Sequence, residues 1–316
     1  MTVLVTGGVG YLGSRLIREL PDHPAFAGDR IRILDNLRQP RYHSLWDLPA
    51  HAEYEFVEGD VRDLETVESI MEGVDTVFHL AAITNATETF DIPEKTWEVN
   101  YDATMDIYRT ARDAGVDDFV NVSSCSVYGP TDEEIEEDFD CEPESPYGKA
   151  KLAAEQELLE QYEGELSVTA LRLGTVYGWS TGMRFDTVVD KFSYLAATGQ
   201  PLTVYEGAEN QKRPYLHVGD AVESMLFAST NLGDGEAYNV VGQNGRLRDI
   251  VDAIERYFPG VEIGYTEAEQ LNQLSYVVSD QKIREEGFET TYSIDQGVRE
   301  LADRFRVLAR TQMTSD

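Results

Sequence analysis

Ser124, Tyr147 and Lys151 are the residues whose types and spacing suit moving a proton on and off an alcohol oxygen while a hydride moves at the carbon bearing it. Tyr147 and Lys151 stand four residues apart behind Pro146, which suits the first turn of a helix and places both side chains on one face. A free phenol near pKa ~10 is a poor base at neutral pH, and an ammonium a few ångströms away favours the phenolate. Ser124 closes a predicted strand near Asp118–Val122, from which its hydroxyl would hold the reacting oxygen. By itself Tyr-x-x-x-Lys also fits a helix with a surface lysine. The elements that position it must carry the inference.

The N-terminus supplies the first of them. Thr2–Val5 is a short apolar run followed by Thr6-Gly7-Gly8-Val9-Gly10-Tyr11-Leu12-Gly13 and a helical stretch to about Leu20. Glycines at 7, 10 and 13 allow a tight turn, close approach of backbone amides to a pyrophosphate, and packing of helix on strand. A helix starting there points free N–H groups and the positive end of its dipole at phosphates. An acidic residue is then expected about twenty positions on, at the end of the second strand. Asp35 in Arg30-Ile31-Arg32-Ile33-Leu34-Asp35-Asn36 fits, and its charge favours NAD over NADP, although nearby Arg38 is a residue type that accepts a 2′-phosphate. A third strand, Tyr54–Val57, ends at Asp60-Val61, and a fourth, Thr76–Leu80, runs into Ala81-Ala82.

Helices are predicted near Asp63–Met71, Pro93–Asp113 and Tyr147–Tyr162, and a strand near Ser167–Leu171. Alternating strand and helix gives an α/β fold, a doubly wound parallel sheet with its ligand at the carboxyl ends of the strands. The expected division is a dinucleotide-binding domain over residues 1–173, followed by a smaller lobe over 174–316 interleaved with it. The acid-rich run Thr131–Asp140 is expected as a loop between catalytic strand and catalytic helix, and Ser275–Lys282 as a late strand.

The chain has 316 residues, of which 59 are acidic and 26 basic, for a net charge of −33. Such a balance repels nucleic acid. Acids spread along the whole sequence suggest adaptation to a salt-rich cytoplasm, because the Debye length falls to about 3 Å at 1 M salt. No long apolar run occurs, so a cytoplasmic protein without a membrane span is expected. Cys125 and Cys141 form neither a disulfide framework nor a metal site, and Cys125 is expected to pack rather than react.

With these pieces in order, the chain resembles the extended branch of the short-chain dehydrogenase/reductase family, the nucleotide-sugar epimerases and dehydratases, from Thr2 to about Leu301. The resemblance implies NAD as cofactor, with Gly7, Gly10, Tyr11, Leu12, Gly13, Asp35 and Asn36 in its site. Asp60 and Val61 would meet the adenine, Leu80, Ala81 and Ala82 would line the dinucleotide, and Asn100 would sit near the nicotinamide. Tyr147 would be the acid/base, Lys151 would bind the nicotinamide ribose and tune Tyr147, and Ser124 would bond the substrate oxygen. Thr175, where relatives carry Asn, and Arg213 would contact the substrate's diphosphate. A second family arginine is missing before the late strand, and Arg184 or Arg246 would replace it.

Dehydratases of this family carry acidic residues directly after the catalytic serine or threonine, where this chain has Cys125 and Ser126, so elimination is disfavoured. The expectation is an NAD-dependent nucleotide-sugar epimerase acting at C4. Two alternatives stay open: a dehydrogenase or reductase of a free or activated sugar, and a non-catalytic NAD-sensing protein. A homodimer is also expected, because Trp97, Tyr101, Met105 and Tyr108 form an apolar stripe on a helix that pairs between subunits in relatives.

Overall fold

Apolar runs such as Val3-Leu4-Val5, Ile33-Leu34, Val77-Phe78 and Phe119-Val120 are buried on both faces of the central strands, as a parallel sheet covered by helices requires. The computed structural model describes residues 1–267 and 275–312, the last four by backbone alone. Its first five strands are β1 (Thr2–Thr6), β2 (Arg30–Asp35), β3 (Glu53–Glu58), β4 (Thr76–His79) and β5 (Asp118–Ser124). There follow β6 (Glu134–Ile135), β7 (Ser167–Leu173), β8 (Thr175–Tyr177), β9 (Leu202–Tyr205) and β10 (Lys212–His217). The last four are β11 (Glu236–Val240), β12 (Gln243–Arg246), β13 (Ile263–Thr266) and β14 (Val277–Val278).

The main sheet has seven strands in the order β11-β7-β5-β4-β1-β2-β3, and all its neighbours are parallel. Strand order reverses between β1 and β4, so the crevice for a ligand opens at their carboxyl ends, beside Thr6 and His79. One face packs the helices Gly13–Glu19 and Val218–Asn231 through Leu16, Ile17, Val222 and Met225. The other packs Leu64–Met71, Ala103–Ala114 and Pro146–Glu160 through Ile70, Met105, Tyr108 and Leu158. A separate cluster around Phe192, Ile250, Val298 and Phe305 holds the lobe together.

Interleaving is concrete here. The helix Val218–Asn231 and β11 lie beyond residue 173 in sequence yet complete the main sheet, because β11 pairs in register with β7, Tyr238 opposite Leu171. The lobe itself is made of two small sheets, β12-β10-β8 and β13-β9, with the helices between and after them.

Three expected elements come out differently. The acid-rich run is not entirely loop: β6 inside it pairs with β14. The late strand shrinks to Val277–Val278, and Gln281–Lys282 open a short helix, Gln281–Glu285. The long helix from Pro93 is interrupted by a π-helical turn, Glu98–Asp102, before continuing as Ala103–Ala114 to a left-handed Gly115 (φ 77°).

Candidate active site

The catalytic segment is assembled from two chain ends. β5 stops at Ser124, whose Oγ accepts the Ser126 amide at 3.1 Å and so caps the tight turn Cys125–Val127. The helix Pro146–Glu160 starts behind Ser145, whose Oγ accepts the Gly148 amide at 3.1 Å, with Pro146 at its first position. Those two local stops bring Tyr147 and Ser124 onto the wall of one cavity, with the Ser124 hydroxyl near enough to pull the phenol's pKa down. Lys151, one turn on, is 3% exposed, and its ammonium donates to the Val122 carbonyl at 2.8 Å.

Electrostatics depart from the expectation that Lys151 lowers the phenol. Burial raises Tyr147 above its ordinary value, while the Ser124 hydrogen bond and the charge of Arg184 pull it down. Burial also brings Lys151 down to about 8, against the opposing pull of Glu155. The lysine is anchored on β5, and the cation acting on the phenol comes from the lobe.

The glycine turn has no room for side chains. Gly7 has φ 71°, and a Cβ there would stand 2.8 Å from the Ala81 nitrogen; a Cβ on Gly13 would overlap the Gly7 carbonyl. Asp35 lies against this turn, accepting the amides of Val9 (3.2 Å) and Leu37 (2.9 Å), and burial raises its carboxyl. Asp60 accepts Asn36 Nδ2 at 2.9 Å and pairs with Arg62, which holds its carboxyl well below the usual range. Arg38 pairs with Glu88 on the opposite rim.

A single cavity of about 640 Å³ joins these parts. It runs from Asp35, Asn36, Asp60 and Val61 past Gly7, Gly10, Tyr11, Leu12 and Gly13 and the Leu80–Ala82 strand end. Ser124, Tyr147, Lys151 and Thr175 line its other end. The expected cofactor residues thus line one space, except Asn100. That residue is wholly buried: the π-helical turn swings its amide onto Ile83, accepting the amide at 2.7 Å and donating to the carbonyl at 2.9 Å. Asn100 fixes the backbone just past Ala82 and does not line the cavity.

Substrate residues are divided. Thr175 lines the cavity, whereas Arg213 does not, although its charge acts on Tyr276, which does. Arg246 caps the helix Leu247–Tyr257, away from the cavity lining. Arg184 does line it, donating to Thr84 Oγ1 at 2.6 Å and pairing with Asp186 at 3.1 Å. Arg41, Phe185 and Tyr276 complete the wall without any motif to announce them, since loop residues follow no period. Cys125 is buried with its thiol pushed up, donating to the Arg172 carbonyl at 3.2 Å, so it packs. Among the described residues no three His, Cys, Asp or Glu side chains gather as metal ligands.

A glycine turn without space for side chains and an acidic residue at the end of β2, lining one cavity, fit a dinucleotide. Residues 3–241 match the NAD dependent epimerase/dehydratase family. The chain belongs to that family. It is an enzyme of the extended short-chain dehydrogenase/reductase type, and NAD is its cofactor. It is 30% identical over 280 residues to a UDP-glucose 4-epimerase of Streptomyces lividans, covering 80% of each chain. It is 27% identical over 310 residues to the low-salt glycan biosynthesis protein Agl12 of Haloferax volcanii, covering 96% of this chain and 98% of the relative. A dTDP-glucose 4,6-dehydratase of Streptomyces venezuelae, solved with NAD and TYD bound, superposes with TM-score 0.86 at 25% identity, covering 99% and 98%. Relatives therefore include both epimerases and dehydratases. No described helix is long and apolar enough to cross a membrane.

Proposed function

We propose that this enzyme is a nucleotide-sugar epimerase that inverts C4 through a transient keto sugar. The observation carrying this is that Ser124, Tyr147 and Lys151 line one end of the cavity that the glycine turn lines at the other. NAD, when bound, would supply the hydride acceptor and donor for the sugar carbon. Tyr147 takes the proton of the C4 hydroxyl and later gives it back, Ser124 hydrogen-bonds the same oxygen, and Lys151, on the same helix face, suits the cofactor's nicotinamide ribose. Arg184 and Thr175, on the lobe side, suit the substrate's anionic diphosphate. In a chain with net charge −33, Arg38, Arg41, Arg62, Lys95, Lys151 and Arg184 line this one cavity against Asp35, Asp60, Glu88 and Asp186, so basic residues outnumber acidic ones there, as suits an anionic ligand.

Elimination of water, as in the dehydratase relatives, needs a further acid and base around C5 and C6. Cys125 and Ser126 occupy the positions after Ser124, and the raised thiol of Cys125 suits neither role. The test is incubation with uridine, thymidine, guanosine and cytidine diphosphate sugars with and without added NAD, followed by NMR of the products and absorbance of any NADH formed. A C4 epimer with no net NADH supports the proposal. A 4-keto-6-deoxy sugar, stoichiometric NADH, or no turnover with any sugar nucleotide overturns it in favour of a dehydratase, a dehydrogenase or an NAD-sensing protein respectively.

A further inference from the structure

Beyond the cavity wall lies a buried ionic cluster that the proposed chemistry does not use. Glu155 follows Lys151 by one helical turn, and its side chain is 0% exposed. Its Oε1 accepts both Nε (2.9 Å) and Nη2 (2.6 Å) of Arg172 on β7, while its Oε2 has no hydrogen-bond partner among the described residues. Arg172 Nη1 donates to the Tyr128 hydroxyl at 2.6 Å and the Glu137 carbonyl at 2.8 Å, and Tyr128 donates to Asn239 at 2.7 Å. A carboxylate oxygen without a hydrogen bond in a dry interior is costly unless a cation compensates it. Arg172 is already shared among three acceptors. Lys151 is the second buried cation, on the same helix face, with its ammonium on the Val122 carbonyl.

We propose that Glu155 is a positioning residue for the catalytic lysine: its buried charge keeps Lys151 protonated under the end of β5, and Arg172 holds that carboxylate in place. The inference rests on reading Lys151 as the companion of Tyr147. Charged groups come to the lysine's helix from the elements packed on it: residues 86–102 bring Glu88, Glu94, Lys95, Glu98 and Asp102, and Ala103–Ala114 brings Asp106 and Arg109. Its own helix brings Tyr147; β4 brings His79, which burial and Lys151 together drive down to about 3, so its ring is neutral. The turn after β5 brings Cys125 and Tyr128, both raised by burial, β7 brings Arg172, and the lobe brings Arg184. Glu137, from the acid-rich run, gives its Oε1 to the Asn239 amide at 2.8 Å. Glu155 is therefore the anion on the lysine's own face, and its effect on Lys151 is to raise it.

Lysine side-chain carbons are to be titrated by NMR in the purified full chain, where only six lysines give signals and Lys151→Arg identifies the relevant one. In Glu155→Gln, which keeps an acceptor for Arg172, the Lys151 midpoint falls by about one pH unit, and Glu155→Asp brings it back. Arg172→Gln moves it the other way, because the carboxylate then has one cation fewer to serve. An unchanged midpoint in folded Glu155→Gln overturns the proposal; if that variant does not fold, the absence of a rise in Arg172→Gln does so. A loss of thermal stability without either shift assigns Glu155 a packing role and equally overturns it. Failure of the reading of Lys151 itself is separate: turnover surviving in Lys151→Met would end that reading while leaving the titration of Glu155 on Lys151 intact.

Discussion

Tyr11 and Asp190 tie the glycine turn to the lobe: the Tyr11 hydroxyl, within hydrogen-bond reach of both, donates to the Gly178 carbonyl at 2.6 Å or to Asp190 Oδ2 at 2.9 Å. The ring of Tyr11 lines the cavity, but its polar end leaves it. Ser14 and Ser180 add to the seam, Ser180 Oγ donating to the Tyr11 carbonyl at 2.9 Å and Ser14 Oγ accepting the Gly182 amide at 2.8 Å. The loop that carries Arg184 into the cavity is thus fastened to the turn that faces the pyrophosphate.

Asp190 gives this seam a pH signature. Burial raises its carboxyl from 3.8 to about 7. The folded chain therefore holds a proton that the unfolded chain has released. The stability this contributes is complete below the unfolded value and is lost as pH rises through about 7, at no more than about 1.4 kcal/mol per pH unit. Asp190→Asn removes that contribution, so its urea midpoint falls less between pH 5.5 and pH 8 than that of the parent chain. Asp118, also raised to about 7, leaves part of the slope in place.

Tyr147→Phe deletes the proton carrier while keeping the ring. Turnover falls by about 10²–10⁴-fold, with NAD affinity and melting temperature close to those of the parent. Unchanged turnover would remove Tyr147 from the chemistry.

Gly13→Ala puts a methyl into the Gly7 carbonyl and the Gly8 backbone, which cannot give way as a flexible side chain would. The expected cost is about 1–3 kcal/mol of stability together with weakened NAD binding, read by calorimetry of both transitions. Gly28→Ala is a control for space rather than for backbone strain, since nothing stands within 4 Å of its Cβ position although its φ is 89°.

A homodimer is the expected assembly, and Trp97 is the residue that tests it. The stripe expected from sequence divides: Met105 and Tyr108 are buried in the core, whereas Trp97 remains 41% exposed and borders a groove with Tyr101, Gln156, Glu157 and Glu160. Trp97→Glu converts a dimeric mass in light scattering at high salt to a monomeric one. A monomer in the parent chain would leave the ring as an ordinary surface residue.

A net charge of −33 sets a salt dependence. Melting temperature rises by several degrees between dilute buffer and 2 M potassium chloride, because screening relieves repulsion among surface carboxylates. Equal melting in both would separate the acidic composition from any adaptation to salt.

Local chemistry determined the parts that sequence made legible. Glycines at 7, 10 and 13, Asp35 after an apolar strand and the Tyr147–Lys151 spacing each answer to a constraint within one turn or one element, so they could be read without tertiary coordinates. The alternation of strand and helix likewise fixed a parallel sheet. Tertiary structure decided what depends on distant segments meeting: Arg184 and Tyr276 reach the cavity from loops without periodicity, and Arg213 is not among its lining residues. Asn100 turns inward because a π-helical turn finds its partner in Ile83, and no local pattern encodes that contact. The balance of charge on Tyr147 belongs to the same class, since burial and a lobe arginine both come from residues remote in the chain.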